Sequence, residues 1–212
     1  MKKITMILGL FLALASCKNN QQAEEATATT PETATTAPTG AAEEMTLDAT
    51  TSHLTWLGKK VAGQHNGKVS LKEGKASFSG NTIVSASPIV VDLNTIVCDD
   101  ITEKEMNAKL IGHLKAADFF DVAKYPTATF ETTSVEGGNT LVGKLTIKDK
   151  TEEVKIPVTV VNENGTAKVS GKVTIDRTKF GVMYSSGKLA ETLKDKIIND
   201  EVEMGLELTF KK

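Results

Sequence analysis

The chain has 212 residues and a formal net charge of −2, with acidic and basic side chains mixed along its length. This balance excludes the basic surface that binds nucleic acid, so we expect no nucleic-acid partner. About 165 residues follow position 45, which is enough for one domain with a sizeable core.

The N-terminus has the pattern of an export signal. Two lysines precede an apolar run at residues 4–15, which is long enough for a signal peptide and too short for a membrane-spanning helix. Residues 14–17 read Leu-Ala-Ser-Cys, the arrangement typical of a bacterial lipoprotein signal. We therefore predict that residues 1–17 form a lipoprotein signal peptide ending at Cys17, the lipidated residue.

That signal predicts the location of the protein and its attachment to a membrane. Acyl chains on Cys17 would hold the protein on a membrane, because each buried methylene contributes about 0.8 kcal/mol. We expect a protein of the bacterial cell envelope, and Lys18 after the cysteine favours the outer membrane and periplasm. Only Cys98 then remains, so the mature chain can form no internal disulfide.

Residues 18–45 differ in composition from the remainder of the chain. They are rich in Ala, Thr, Glu and Pro and show no hydrophobic periodicity. Such a segment buries too little apolar surface to offset its ordering entropy, which predicts a disordered tether. Residues 46–212 are the predicted folded domain.

Short strands are expected in the first half of this domain. Leu54 and Trp56 alternate with more polar positions, and Ala76 and Phe78 alternate with serines. A helix is predicted over residues 102–115, with Thr102 as its N-cap and Glu105 at the capping-box position.

The second half shows clearer strand patterns. Apolar and polar residues alternate over 141–147, 154–160, 169–175 and 202–210, and Asn164-Gly165 is a strong tight-turn pair. Eight or nine mostly antiparallel strands with one helix inserted fit an up-and-down barrel better than a sandwich. The fold class is therefore mainly all-β, and an eight-stranded barrel can hold one slim ligand.

Glycine and proline inside these strands carry further expectations. Gly143, Gly171 and Gly205 each stand within a strand, which indicates sharp bends or close approach of neighbouring atoms. Pro157 has no backbone N–H to donate to a neighbouring strand. Its strand should therefore lie at an edge of the sheet or turn the proline nitrogen outward.

Aromatic side chains are concentrated at the predicted helix-to-strand junction. Phe119, Phe120, Tyr125 and Phe130 are four of the ten Phe, Tyr and Trp residues in the chain. They either plug one end of the core or contribute to a ligand site. Tyr125 either bonds a polar head group at the barrel mouth or closes the barrel end. We favour closure, because a tyrosine before a proline is conformationally restricted.

Several stretches resemble the YceI-like family. The matching segments read Leu-Lys-Ala-Ala-Asp-Phe-Phe-Asp at 114–121, Lys-Tyr-Pro at 124–126, Thr-Phe at 129–130, Gly-Lys-Leu-Thr-Ile-Lys at 143–148, Lys-Ile-Pro-Val at 155–158, Asp-Arg-Thr-Lys-Phe-Gly-Val at 176–182 and Asp-Glu-Val at 200–202. The resemblance implies an extended lipocalin-like barrel that binds long isoprenoid or other amphiphilic lipids. Residues 56–67 depart from the Val-Arg-His segment common in that family, so no head-group contact is carried over from it.

Metal and catalytic motifs are weak by sequence. His53, His65 and His113 form no sequence-local metal pair, so we predict no metal and no cofactor, and the alternative is a cluster that forms only in space. Cys98 stands beside Asp99-Asp100, whose negative charge should leave the thiol pKa normal or raised. The two aspartates themselves suit a helix start better than a catalytic pair.

Arg177 has two interpretations. If it is buried, its charge requires a partner, and Asp176 and Asp118 are the candidates. Otherwise it is solvated at the surface.

The functional hypothesis is non-enzymatic binding or carriage of a long apolar lipid inside a membrane-tethered barrel. Strand parity predicts its lining, and the junction aromatics complete the predicted ligand-binding set. The set is Trp56, Phe78, Phe119, Phe120, Tyr125, Phe130, Leu145, Ile156, Val173 and Met204. The alternatives are an envelope interaction or scaffold module with a packed barrel, and an enzyme in which the histidines or Asp99 converge.

Overall fold

A computed structural model of the protein describes residues 41–188 and 196–212. The predicted signal peptide, Cys17 and residues 18–40 of the predicted tether lie outside the described residues. Within the described part of the chain, no helix has both the length and the apolar character needed to cross a membrane.

The described residues form twelve strands, one α-helix and two short 3-10 helices. The strands are β1 (Glu43–Leu47), β2 (His53–Lys60), β3 (Gly63–Glu73), β4 (Lys75–Ser79), β5 (Thr82–Ala86), β6 (Ile89–Asp92), β7 (Val97–Cys98), β8 (Thr127–Glu136), β9 (Thr140–Ile147), β10 (Lys150–Glu163), β11 (Thr166–Asp176) and β12 (Ile198–Lys211). The α-helix, α1, is Lys104–Lys115, and the 3-10 helices are Leu93–Thr95 and Arg177–Phe180.

Eight of these strands close into a ring. They follow one another in the order β2, β3, β6, β8, β9, β10, β11 and β12, and β12 returns to pair with β2. Every pairing is antiparallel, and neighbours in the ring follow chain order. The predicted eight-stranded antiparallel barrel with one helix is therefore confirmed.

Three strands outside the ring cover one end of the barrel. β1 pairs with the last residues of β12, β4 pairs with β1, and β5 pairs with β4. Phe78 of β4 meets Phe210 of β12 edge to face, with ring centroids 5.4 Å apart. Met45 and Phe78 are each 1% exposed. We call this packed region, built by β1, β4, β5 and the end of β12, the closed end.

The predicted cap of α1 is wrong in detail. The helix begins at Lys104, and Glu103 is its N-cap, with its carboxylate accepting hydrogen bonds from the backbone N–H groups of Glu105 and Met106. A carboxylate at this position satisfies two free amides and also complements the positive end of the helix dipole. The glutamate therefore takes the role predicted for Thr102.

Pro157 lies within the closed ring and not on an edge strand. Residues 150–157 of β10 pair with β9, and residues 158–163 pair with β11. The proline therefore stands where β10 changes partner, so its missing donor interrupts neither ladder in mid-course. Gly143 meets the expectation of close approach, since an added Cβ would clash with the Glu131 carbonyl oxygen.

Candidate functional site

The barrel encloses an apolar cavity. Its volume is about 370 Å³, within the range of small-molecule sites. Inward side chains of all eight ring strands line it, because residues two apart along a strand share a face. Leu110 and Leu114 of α1 cover it from one side. Part of the interior between the closed end and the helix is therefore free of protein atoms.

The structure places eight of the ten predicted ligand-binding residues along this cavity. They are Trp56, Phe119, Phe120, Phe130, Leu145, Ile156, Val173 and Met204. Their position follows from strand parity and from the junction between α1 and β8. That they contact a ligand stays a prediction.

Phe78 and Tyr125 are not among the lining residues. Phe78 has the predicted inward parity, but β4 belongs to the layer outside the ring, so its ring packs in the closed end. Tyr125 lies half-buried with the Lys124 ammonium 4.9 Å from its ring centroid. A hydrogen bond with Tyr125 is the main cause that raises the pKa of Lys124. Phe78 is therefore a correction to the predicted lining, and a role of Tyr125 in ligand binding stays a prediction.

An aromatic cluster packs beside the C-terminus of α1 and lines part of the cavity. Phe119 and Phe120 meet edge to face at 5.0 Å between centroids. His113 of α1 lies 5.8 Å from Phe119 and 4.3 Å from Tyr184, again edge to face. A pair of phenylalanine rings in this geometry adds roughly 0.5–1.5 kcal/mol beyond its buried area. The cluster joins the helix, the junction and the segment after Arg177–Phe180.

Arg177 is buried, and its partners differ from those predicted. The side chain is 3% exposed, and its Nη2 lies 3.3 Å from the Asp200 carboxylate, so neither Asp118 nor Asp176 is the hydrogen-bonded partner. Asp200 was missed because it is 23 residues away and meets Arg177 only when β12 enters the barrel. Burial lowers the pKa of Arg177, while the Asp200 and Asp176 carboxylates act in the opposite direction.

The Arg177 guanidinium also organises the backbone around it. Its nitrogens donate to the carbonyl oxygens of Val182, Tyr184, Ile198 and Asn199 at 2.8–3.0 Å. Five donors in a planar fork satisfy several buried acceptors at once. One side chain therefore fixes the segment after β11 against the start of β12.

The cavity reaches the surface beside the turn between β2 and β3. Lys59, Lys60 and His65 belong to its lining there, together with Ile198 at the start of β12. Lys60 is exposed, and the other three are partly exposed. Lys59 forms an ion pair with Glu203. We call this polar rim the mouth.

Two of the three histidines, His65 and His113, line the cavity, and each has its own carboxylate partner. The ring of His65 hydrogen-bonds Asp100 at 2.8 Å, and His113 lies 3.3 Å from Asp118. His53 stands at the start of β2 and is not among the cavity-lining residues. Of the residues that the enzyme hypothesis names, His65 and His113 therefore reach the cavity, whereas His53 and Asp99 are not among its lining residues.

The Asp100 carboxylate accepts hydrogen bonds from neighbouring residues and does not cap α1. It accepts hydrogen bonds from the Asn66 backbone N–H at 2.8 Å and the Cys98 thiol at 3.2 Å. Burial raises its pKa, but the Asn66, His65 and Cys98 hydrogen bonds outweigh this and lower it to about 2. Burial is the main cause that raises the pKa of Cys98, and the neighbouring Asp100 carboxylate acts in the same direction.

Comparison with known proteins gives a family match across the domain. The YceI-like domain model matches residues 45–210. A UPF0312 protein of Ectopseudomonas mendocina is 32% identical over 132 residues, covering 58% of this chain and 66% of the relative. A UPF0312 protein of Pseudomonas aeruginosa is 28% identical over 119 residues, covering 52% and 60%. The chain thus matches slightly under two thirds of each relative's own length.

Two solved structures share the fold. BcnA of Burkholderia cenocepacia aligns with a TM-score of 0.54 and 26% identity, covering 77% of this chain and 98% of BcnA. A polyisoprenoid binding domain from Saccharophagus degradans, implicated in plant cell wall breakdown, aligns with a TM-score of 0.59 and 17% identity, covering 79% and 97%. At 17% identity the second similarity concerns the fold alone.

Proposed function

The chain belongs to the YceI-like family, and we propose that its barrel binds a long apolar lipid of the isoprenoid or similar amphiphilic type without catalysing a reaction on it. The observation that carries this proposal is the apolar cavity inside the closed ring. A barrel that served only as a scaffold would fill this space with side chains.

Area burial supplies the driving force. Transfer of apolar surface from water contributes roughly 25 cal/mol per Å², so an extended hydrocarbon chain needs no charged partner inside the barrel. The walls offer aliphatic and aromatic side chains such as Ile156, Leu145 and Phe130. The polar end of an amphiphile would lie at the mouth, where Lys59 and Lys60 meet the solvent.

The relatives support the ligand class. One solved structure of this fold is a polyisoprenoid binding domain, and its alignment covers most of both chains. The proposal for this protein rests on its own cavity, and the relative narrows the choice among apolar ligands.

Membrane tethering is part of the proposal. The export pattern at residues 1–17 and the tether composition of 18–45 support lipidation at Cys17 and residence in the cell envelope. Cells grown with an alkyne-tagged palmitate should label the protein, and a Cys17→Ser variant should lose the label. Equal labelling of the two proteins would rule out the anchor at this residue.

Native mass spectrometry with organic extraction tests the lipid proposal. The Cys17→Ser variant of the full chain is the right sample, because any covalent acyl chains on that cysteine are then absent from the extract. Purified from a bacterial host, it should carry a bound mass that is released as a long-chain lipid. A mass equal to the bare chain that stays so after addition of polyisoprenoids would favour the scaffold function.

A further inference from the structure

We propose that His65, Cys98 and Asp100 form a binding site for a divalent cation of the zinc class. Their potential ligand atoms all lie within 4.8 Å of one another. His65 also belongs to the mouth, but the lipid-binding proposal uses neither Cys98 nor Asp100, so a failure at these two residues leaves that proposal intact.

The backbone brings these residues together although they are far apart in sequence. β7 pairs with β3, with Cys98 opposite Gly67 and Val97 opposite Lys68. The ladder continues past β7, since the Asp99 N–H donates to the Asn66 carbonyl at 2.9 Å. His65 therefore lies beside residues 98–100 by the register of two strands.

The three side chains supply complementary donor types. A thiolate sulfur, an imidazole nitrogen and a carboxylate oxygen are the ligands that Zn²⁺ takes in proteins. Bond lengths of about 2.0–2.3 Å would place ligand atoms about 3–4 Å apart around one ion. In the structure His65 Nδ1 lies 2.8 Å from Asp100 Oδ2 and Cys98 Sγ lies 3.2 Å from Asp100 Oδ1, so the two groups flank one carboxylate at separations close to this range.

Access and burial also fit an ion site. The side chains of His65 and Asp100 are 31% and 30% exposed, whereas Cys98 is buried as a free thiol. An ion can therefore reach the cluster from solvent and meet a sulfur shielded from it. Three protein ligands leave a fourth tetrahedral position for water.

Binding has a defined proton balance. The Cys98 S–H now donates to Asp100, and coordination replaces that proton with the metal. One sulfur–metal bond forms, one sulfur–hydrogen bond breaks, and the proton passes to solvent. The His65 Nδ1 proton that faces Asp100 must also leave that nitrogen, moving to Nε2 through solvent, so the imidazole coordinates through Nδ1 as the other neutral tautomer. The ionised carboxylate binds without losing a proton.

The protein carries its own reporter. Trp56, the single tryptophan of the chain, donates its indole N–H to the Val97 carbonyl oxygen at 3.1 Å. Val97 is bonded to Cys98, so metal binding at the cluster should alter the fluorescence of this indole.

Titration with Co²⁺ followed by Zn²⁺ tests the site in the full chain carrying Cys17→Ser. Co²⁺ should give a sulfur-to-cobalt charge-transfer band with one ion per chain, accompanied by a change in Trp56 fluorescence, and Zn²⁺ should remove the band. Adding the Cys98→Ser substitution should abolish the cobalt charge-transfer band. His65→Gln and Asp100→Asn should each weaken binding at least tenfold.

His53→Gln is the matched control, since this histidine lies outside the cluster, and its affinity should equal that of the parent. If Cys98→Ser does not fold, the partly exposed His65→Gln and Asp100→Asn variants decide the question. Absence of a charge-transfer band, or binding that survives all three cluster variants, would overturn the proposal.

Discussion

The two ends of the barrel use similar inward-facing apolar residues to opposite effect. At the closed end, Phe78 of β4 packs edge to face against Phe210 of β12. Around the middle of the barrel and towards the mouth, Phe130 and Leu145 face a cavity of about 370 Å³. The difference comes from the elements that pack against these residues. The extra strands β1, β4 and β5 fill the closed end, whereas α1 covers the cavity.

This contrast separates stability from binding. Well-packed apolar residues contribute most to the free energy of unfolding, because their removal leaves a void that the surroundings fill only partly. Residues that already border a void lose less when they are truncated. The closed end should therefore contribute most to the free energy of unfolding, and the cavity should bind the ligand.

Truncation of Phe78 should have the largest effect. Phe78→Ala should lower the free energy of unfolding by about 3–5 kcal/mol. Phe130→Ala should cost less, about 2 kcal/mol, because this ring borders the cavity. Denaturant unfolding of both variants measures the difference. Equal losses would mean that the two ends are packed alike.

Replacement of Arg177 tests whether polar contacts fix the mouth side of the barrel. Arg177→Met leaves buried carbonyl acceptors and the Asp200 carboxylate without their donor. We expect a loss of about 2–4 kcal/mol in denaturant unfolding. The variant should also speed amide hydrogen exchange around residues 182–184 more than in the closed end. Uniform exchange throughout the barrel would contradict a local role.

Acid should loosen the segment after β11. Burial raises the pKa of Asp176, but hydrogen bonds from Lys188 and Thr178 outweigh it and bring the pKa to about 2 from its ordinary 3.8. A lowered native pKa stabilises the fold above pH 3.8, and this contribution is lost as the pH falls towards 2.

Lys188→Met removes the main hydrogen bond responsible for that shift, which is 2.8 Å long. The variant should therefore lose less stability than the parent between about pH 4 and pH 2. Thermal unfolding at several pH values measures this difference. Lys168→Met, at an exposed lysine of β11, is the control and should follow the parent. Identical acid profiles for the parent and Lys188→Met would count against the contact.

The exposed ion pair between Lys155 and Glu136 should contribute least. Its atoms lie 2.8 Å apart, but both side chains are more than half exposed, so solvent and salt screen the attraction. Lys155→Met should leave the unfolding midpoint within experimental error at about 0.15 M salt. A clear drop in the midpoint would show that this surface ion pair stabilises the fold in addition to the packed core.

Local patterns predicted the ring well. Alternation in residues 141–147 and 154–160 indicates strands because one face of each lies in the core, and short turns make neighbours antiparallel. The same parity placed Val173 and Met204 at the cavity. It failed for Phe78, since parity tells which face is apolar and not which layer the strand joins.

Contacts between distant segments were beyond sequence reasoning. Asp200 reaches Arg177 only through the path of β12, and His65 meets Cys98 only through the register of β3 and β7. Neither pair has a spacing that marks it along the chain. Glu103 was missed for another reason, because Thr102 next to it has an equally good capping side chain.

Lipid occupancy in a matched pair of variants tests the central claim most directly. Val173 lines the cavity, and Val161 is exposed on the outer face of β10. Native mass spectrometry should show at least a tenfold loss of bound lipid in Val173→Trp, because the indole fills the space. Val161→Trp should retain the occupancy of the parent. Equal occupancy in both variants would contradict a ligand held inside the barrel.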